Sequence, residues 1–354
     1  MWKLIKTAFK IIIFSFFFVS CKEEKYKYDI FDFSTELQPS LKSLSNEKSL
    51  PSKDTIARKF IEKHATKEEL IKLMDSKNPI LRVIGYKTIV NRQEPEYFDL
   101  LKNHLSDTAK VTWWYYEDAG SKFNVSDLMI RKAYEKNGLS PIQKKYLVEK
   151  VLLEHPYLET STWMIQDINP NEKYYNLIRK RAKLKSARCG EQLSACFALS
   201  KFKKKEDLNL LHQIFEQNIN NDYCITWILR SIEKYPDEKF FPILEDYFNK
   251  KIKGKLSAKD NIFDDILYFS RAISAYKNER VLRILKYIEQ NNTYINKPYW
   301  PPSNKKYVYK AILINYDKIY DDLIKQLQSE FKKEDLDKLG FGRQLLEYDE
   351  ESDW

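Results

Sequence analysis

The sequence predicts an all-α protein folded as an α-solenoid, and three observations support this prediction. Only 7 of the 354 residues are glycine, roughly 2% against a usual ~7%, which disfavours sheet-rich sandwiches and Gly-rich phosphate-loop enzymes. Apolar residues make up 43% and charged residues 32% of the chain, a balance that excludes a disordered chain and a polytopic membrane protein. Paired apolar segments with helical periodicity recur along most of the length, as is typical of stacked helical repeats.

The first twenty residues predict an export signal. Residues 1–10 contain three lysines and no acidic residue, and residues 11–20 form a run of about ten mostly apolar residues. As a helix this run would cover ~15 Å, half of a ~30 Å hydrocarbon core. Residues 1–20 are therefore expected to be a cleaved signal peptide rather than a transmembrane helix.

The leader ends with Phe18, Val19 and Ser20, and Cys21 follows directly. This ending resembles the lipobox of bacterial lipoproteins, and the resemblance implies that Cys21 is diacylated on its sulfur and becomes the first mature residue. The polar residues 22–24 resemble the sorting signal of Bacteroidetes-type lipoproteins. We therefore expect a lipid-anchored protein of the bacterial cell envelope, at the outer membrane, with the periplasmic and surface faces both open. The alternative is an ordinary cleaved signal followed by an unrelated cysteine.

Three regions are expected after the leader. Residues 21–50 lack sustained helical periodicity and contain several serines and Pro39, which predicts a flexible tether. Residues 51–330 contain the helical repeats. Residues 331–354 are expected to be a C-terminal helix end followed by an acidic tail.

Five segments within residues 51–330 each contain two apolar helices around a short polar break; they begin at Arg82, Gln192, Cys224, Ile266 and Lys306. A paired apolar anchor recurs in the second helices: Leu100-Leu101, Leu210-Leu211, Ile243-Leu244, Ile284-Leu285 and Leu323-Ile324. Leu147-Val148 and Leu177-Ile178 occupy the places between the first two. The later anchors follow one another every 33 to 41 residues, a period within the range of HEAT and armadillo repeats.

One segment resembles a HEAT repeat more closely. Asp75, Arg82 and Gly85 match the turn aspartate, the helix arginine and the small residue of that repeat. The resemblance implies about six HEAT-like helix pairs in a right-handed superhelical arch, whose concave wall would suit binding. Ser140 and Pro141 are expected at the N-cap and first position of another helix.

A search for catalytic motifs finds none. The four histidines, His64, His104, His155 and His212, show no spacing typical of metal ligands. Dinucleotide and phosphate-loop fingerprints are also missing. The sequence therefore predicts a protein that is not an enzyme and holds no metal or cofactor, with a site assembled across repeats as the alternative.

Three cysteines remain once Cys21 is set aside, so they cannot all form disulfides. Cys189 and Cys196 would lie ~10 Å apart on one helix, too far for a bridge. A bridge between Cys196 and Cys224 is left open, and buried thiols are the alternative.

Two aromatic segments are the candidate partner-binding site, and both are predicted to be irregular. Aromatic side chains on rigid loops bury a large area while losing little rotamer freedom, which makes them good anchors. The candidate residues are Trp113, Trp114, Tyr115, Tyr116, Tyr299 and Trp300. The alternative is that both segments cover helix ends as part of the core.

The formal net charge of +10 favours acidic partners. A basic cluster forms a candidate polyanion-binding site: Arg179, Lys180, Arg181, Lys183, Lys185 and Arg188. A solvated helix face is the alternative explanation. Export across the inner membrane argues against chromosomal DNA, so nucleic acid is not an expected partner.

These observations together predict a lipid-anchored, non-catalytic helical-repeat scaffold that binds a protein or an envelope component. A monomer is expected, attached to the membrane through its N-terminal acyl chains. One alternative is an immunity-like inhibitor lipoprotein directed against an envelope-delivered toxin. The other is a polyanion binder that holds glycan or nucleic acid on the basic cluster.

Overall fold

A computed structural model describes residues 26–51, 53–114, 120–135, 139–185, 189–221, 224–253, 263–291 and 303–331. This part of the chain is mostly helical, which confirms the helical character of the prediction. The leader, Cys21 and the acidic tail lie outside the described residues. The chain divides into two compact units, Met1–Thr160 and Ser161–Trp354.

The first unit contains the helices α1 Gln38–Ser45, α2 Thr55–His64, α3 Lys67–Met74, α4 Pro79–Asn91, α5 Tyr97–Asn103, α6 Val125–Tyr134 and α7 Pro141–Glu154. Side-chain caps fix several of their starts. Thr66 caps α3 and exchanges hydrogen bonds with Glu69, and Ser140 caps α7, with Pro141 at the first position, as the sequence predicts.

Helix α4 is the centre of the first unit. It contacts α1, α3, α5, α6 and the sheet described below, and nine of its thirteen residues are buried. Gly85 makes the contact with α3 possible, because a Cβ at this position would lie 2.8 Å from Leu73 Cβ and 3.1 Å from the Leu70 carbonyl oxygen. The small residue expected at position 85 is therefore a packing requirement.

A small sheet departs from the all-α prediction. Its strands are β1 Ser49–Leu50, β2 Lys110–Trp114 and β3 Gly120–Asn124, in the order β1-β2-β3. β1 runs parallel to β2, and β3 runs antiparallel to it. The first aromatic segment is thus partly a strand and not an irregular loop, because β-branched and aromatic residues favour a pleated conformation.

The prediction of a flexible tether is wrong for residues 26–50. This stretch contains α1 and β1, and it buries Phe33, Leu37, Leu41 and Leu44. The last three are spaced by four and three residues, so one face of α1 and its approach is apolar. The helix packs that face on α2 and α4.

The second unit contains the helices α9 Glu172–Ala182, α10 Cys189–Ser200, α11 Leu208–Asn218, α12 Ile225–Lys234, α13 Phe241–Tyr247, α14 Phe263–Ser274, α15 Glu279–Gln290, α16 Ser303–Ile314 and α17 Asp321–Glu330. A short helix, α8 Thr160–Met164, precedes them. Helix α10 packs on α9 and α12, α12 on α14, and α14 on α16. Helices α11, α15 and α17 each pack against a neighbour of this series.

Each of the five repeat segments contains two helices, as the sequence predicts. Every paired anchor places at least one side chain in the core; the buried ones are Leu101, Leu147, Ile178, Leu211, Ile243, Leu244, Leu285 and Leu323. Within the described ranges, every helix is too short or too polar to cross a bilayer.

The cysteines differ in state. Cys196 is a free, buried thiol, and burial raises its pKa. Cys224 is disulfide-bonded. The bridge that the sequence left open between Cys196 and Cys224 therefore does not form.

Candidate partner-binding site

Strand geometry separates the two tryptophans that the sequence groups together. Successive side chains of a strand lie on opposite faces of the sheet. Trp113 shares the inner face with Val111, which is buried, and β2 packs this face on α4. Trp114 lies on the outer face, with 41% of its surface exposed. Of these two tryptophans, Trp114 is therefore the one that presents a large area to a partner.

The outer face of the sheet combines this tryptophan with positive charge. The register pairs Trp114 with Gly120, Thr112 with Lys122, and Thr112 with Ser49 on the other side. Lys122 is thus a diagonal neighbour of Trp114 and also of Lys110. We call this surface the Trp114 face; its residues are Ser49, Lys110, Thr112, Trp114 and Lys122.

The two lysines of the Trp114 face are both exposed. Neither makes a salt bridge with any described residue, and none of the described strand residues is acidic. An acidic group of a partner that approaches Trp114 would therefore meet Lys110 and Lys122 without displacing an ion pair to any described residue.

Gly120 supports the position of Trp114. A Cβ at position 120 would lie 2.8 Å from Trp114 Cε3 and 2.9 Å from Cδ2. The indole therefore lies directly against the backbone of β3. This contact restricts the rotamers of Trp114, which lowers the entropy that it loses on binding.

Below the sheet, Lys87 of α4 contacts the inner tryptophan. Its Nζ lies 4.3 Å from the centre of the Trp113 ring. Within the described ranges, its ammonium has no salt bridge. The nearby Glu62 and Glu135 each pair with another cation, Arg58 and Lys132 respectively.

Burial lowers the pKa of Lys87 to about 8. The positive charges of Lys132 and Arg58 act in the same direction, while Glu135 and Glu62 partly oppose it. Lys87 is therefore a desolvated amine in contact with an aromatic ring. Its burial and its charged neighbours, which only the fold brings together, distinguish it from the other lysines of the chain.

The basic cluster is only partly available to a polyanion. Arg179 Nε donates to Asp207 Oδ1 over 2.7 Å, and Arg181 donates to the Ser161 carbonyl over 3.4 Å. Burial lowers the pKa of the Arg181 guanidinium. Two of the six predicted cations therefore already have protein partners.

The remaining members of the cluster differ in placement. Lys180, Lys183 and Lys185 are exposed, and the side chain of Arg188 lies outside the described residues. Three exposed lysines on one helix end are typical of a solvated surface, which favours the alternative explanation of the cluster.

Three other predicted site residues, Cys21, Tyr299 and Trp300, lie outside the described residues, as do Tyr115 and Tyr116. The described residues contain no group of three or more metal-binding side chains. The histidines are dispersed among separate contacts; His104, for example, contacts Asp75 Oδ1 at 3.1 Å and the Leu100 carbonyl oxygen at 2.8 Å.

A buried ion pair in the first unit is the main feature that sequence analysis does not find. Arg82 donates from Nε and Nη2 to Asp107 over 2.7 and 3.1 Å. Its Nη1 donates to the carbonyl oxygens of Ser76 and Lys77. The ring of Tyr26 lies 4.0 Å from the guanidinium. The HEAT-like spacing of Asp75 and Arg82 was the available signal, but Arg82 pairs with Asp107 instead.

Comparison with known proteins returns no relative: no family model matches the chain, and neither a curated protein nor a solved structure matches it significantly.

Proposed function

We propose that this protein is a lipid-anchored, non-catalytic binding protein of the bacterial cell envelope, which holds an acidic protein partner on the Trp114 face. The binding function rests on one observation: an exposed tryptophan, positioned on Gly120, shares its face with two exposed lysines that have no described ion pair. Tryptophan is enriched among residues that dominate binding energy, and lysines around it would select an acidic partner.

The packing of α10, α12, α14 and α16 in succession supports a helical-repeat scaffold. In such a scaffold each helix pair contacts its neighbours and contributes to one continuous core. The HEAT-like identity of the repeats, their number of about six pairs and the right-handed superhelical arch are part of this proposal.

The location of the protein is proposed from the leader and the cysteines. Residues 1–20 have the charge and length of a signal peptide, and Cys21 follows in a lipobox-like context. The disulfide at Cys224 supports an oxidising compartment outside the cytosol. Two acyl chains on Cys21 would give stable attachment to a membrane.

Metabolic labelling tests the anchor. We expect the wild-type protein to incorporate a palmitate analogue and to sediment with membranes. Cys21→Ser should abolish the label, because it removes the sulfur that would be acylated. Continued labelling of this variant would contradict the proposed anchor.

Crosslinking in intact cells, followed by capture and mass spectrometry, tests the Trp114 face. Trp114→Ala is expected to weaken capture of the crosslinked partner by roughly 30-fold, which corresponds to about 2 kcal/mol for an aromatic anchor. Tyr146→Ala is the matched control, since Tyr146 is an aromatic residue of the same unit and is 39% exposed.

The lysines require a separate variant. The double substitution Lys110→Gln and Lys122→Gln is expected to weaken capture and to reduce its dependence on salt concentration. Equal capture by the wild type, Trp114→Ala and the lysine variant would refute the Trp114 face as the binding surface.

A further inference from the structure

The chain is fixed to the first unit from Tyr26 onward. The Lys27 and Tyr28 amides both donate to the Asp75 carbonyl oxygen, over 3.0 and 3.3 Å, and the Lys77 amide donates to Tyr28 over 2.8 Å. The Tyr26 ring packs on the Arg82 guanidinium, whose own position is fixed by a buried ion pair. Any segment that links the proposed anchor at Cys21 to the first unit therefore ends at Tyr26.

The segment between Cys21, the proposed anchor, and Tyr26 is short. Five residues lead from Cys21 to Tyr26, and a fully extended chain spans at most about 3.6 Å per residue, or about 18 Å here. A tether of thirty flexible residues would leave the orientation of the first unit free. A five-residue segment keeps Tyr26 within about 18 Å of the lipidated cysteine, so the surface around Tyr26 and Tyr28 stays near the membrane.

That surface presents an apolar side chain on a rigid turn. Phe31 is 84% exposed and lies in a 3-10 turn, Ile30–Asp32, which a capping box of Asp29 and Asp32 holds in place. Phe31 lines a shallow depression together with Tyr28, Ile30 and Lys77. An aromatic ring that is exposed to this extent and held on a turn gains free energy when it enters a lipid interface.

The charges around Phe31 do not oppose such contact. Lys27 and Lys77 are exposed, and Lys72 places its Nζ 5.4 Å from the Tyr28 ring. The nearby carboxylates of Asp29 and Asp32 accept hydrogen bonds from the Phe31 and Asp29 amides, over 2.8 and 2.7 Å. Lysines and hydrogen-bonded carboxylates thus both surround Phe31, and the exposed lysines can contact anionic headgroups.

We propose that Phe31 and the surrounding depression form a membrane-docking surface, which inserts the Phe31 ring into the interface of the bilayer that holds Cys21. The proposal rests on the lipid anchor proposed above. It adds a defined orientation: the first unit lies against the membrane with the Ile30–Asp32 turn facing the lipid, instead of moving freely at the end of a tether.

Depth-dependent quenching on the lipidated full-length protein tests this surface. Phe31→Cys would be labelled with an environment-sensitive thiol dye and reconstituted into phosphatidylcholine/phosphatidylglycerol vesicles that contain headgroup nitroxide lipids. Cys196 is buried and Cys224 is disulfide-bonded, and dye taken up by the wild-type protein, which has the same four native cysteines, is subtracted as background. Ile142→Cys is the matched control, because Ile142 is an apolar residue of the same unit and is 82% exposed.

We expect at least threefold stronger quenching at position 31 than at position 142, and a blue-shifted emission at position 31 alone. Flotation of the vesicles and incorporation of the palmitate analogue report on the anchor separately. A lipidated protein that floats but shows equal quenching at both positions would overturn the docking surface and leave the proposed function intact. A protein that is not lipidated would overturn both.

Discussion

Replacing Arg82 by methionine is expected to destabilise the first unit severely. The side chains of Arg82 and Asp107 are only 2% and 1% exposed, and two hydrogen bonds of 2.7 and 3.1 Å join them. Methionine fills a similar length of side chain but provides no charge and no donor. The substitution therefore leaves the Asp107 carboxylate buried without its counter-ion.

The magnitude follows from the burial of the pair. Removing one partner of a buried ion pair costs about 3–5 kcal/mol, because the remaining charge is left uncompensated. The carbonyl oxygens of Ser76 and Lys77 also lose their donor. We expect the free energy of unfolding of the first unit to fall by about 4 kcal/mol, a large fraction of the 5–15 kcal/mol typical of a domain.

Urea unfolding, monitored through hydrogen exchange of the α4 amides, measures this change in the unit that contains the ion pair. Arg58→Met is the matched control, since Arg58 and Glu62 of the same unit form a 3.6 Å salt bridge in which the side chains are 34% and 35% exposed; this variant should lose less than about 1 kcal/mol. The double variant Arg82→Met with Asp107→Leu should lose less than Arg82→Met alone, because no charge stays buried. Equal losses in Arg82→Met and Arg58→Met would refute the reasoning.

Three further predictions concern individual positions. Gly85→Ala should destabilise the fold by about 1–3 kcal/mol in thermal unfolding, since its Cβ would lie 2.8 Å from Leu73 Cβ. Gly190→Ala should be neutral or stabilising, because no atom of the described residues would lie closer than 4.0 Å to its Cβ. The pKa of Lys87 is about 8 in the folded chain, against 10.5 in the unfolded chain. The folded chain therefore loses this proton first, and the free energy of unfolding should rise with pH between these two values. Lys87→Met should remove that rise in urea titrations at pH 7 to 10. Trp114→Ala should lower stability by less than about 1 kcal/mol in the same assay, because 41% of this side chain is already exposed; a larger loss would mean that Trp114 serves the core.

The helices could be predicted because their signals are local. Apolar spacing identified the helix pairs, and the cap formed by Ser140 and Pro141 could be recognised from two adjacent residues. The sequence did not predict α1 because Leu37, Leu41 and Leu44 span only about two helical turns. So short a pattern cannot be separated from an irregular chain. Only the contacts of α1 with α2 and α4 make this helix stable.

The candidate site was predicted in residue type but not in arrangement. The sequence predicted Trp113 and Trp114 as candidate anchors, but it could not show that a strand directs them to opposite faces. Neither Lys87 nor the ion pair of Arg82 and Asp107 could be predicted from the sequence. A desolvated lysine has no sequence signature, and the ion pair joins residues 25 positions apart. Such contacts depend on tertiary structure alone.

The parallel pairing of β1 with β2 has a consequence for how the first unit assembles. Ser49 and Thr112 become neighbours only after the four helices α2 to α5, which lie between them in the chain, have been enclosed. Closing so long a loop is entropically costly and slow, so the pairing of β1 with β2 is expected to form late in folding, after the local hairpin of β2 and β3. A ligand that contacts Ser49 of β1 together with this hairpin would therefore distinguish finished molecules from newly exported, incompletely folded ones, and would add its binding energy to the completed state alone.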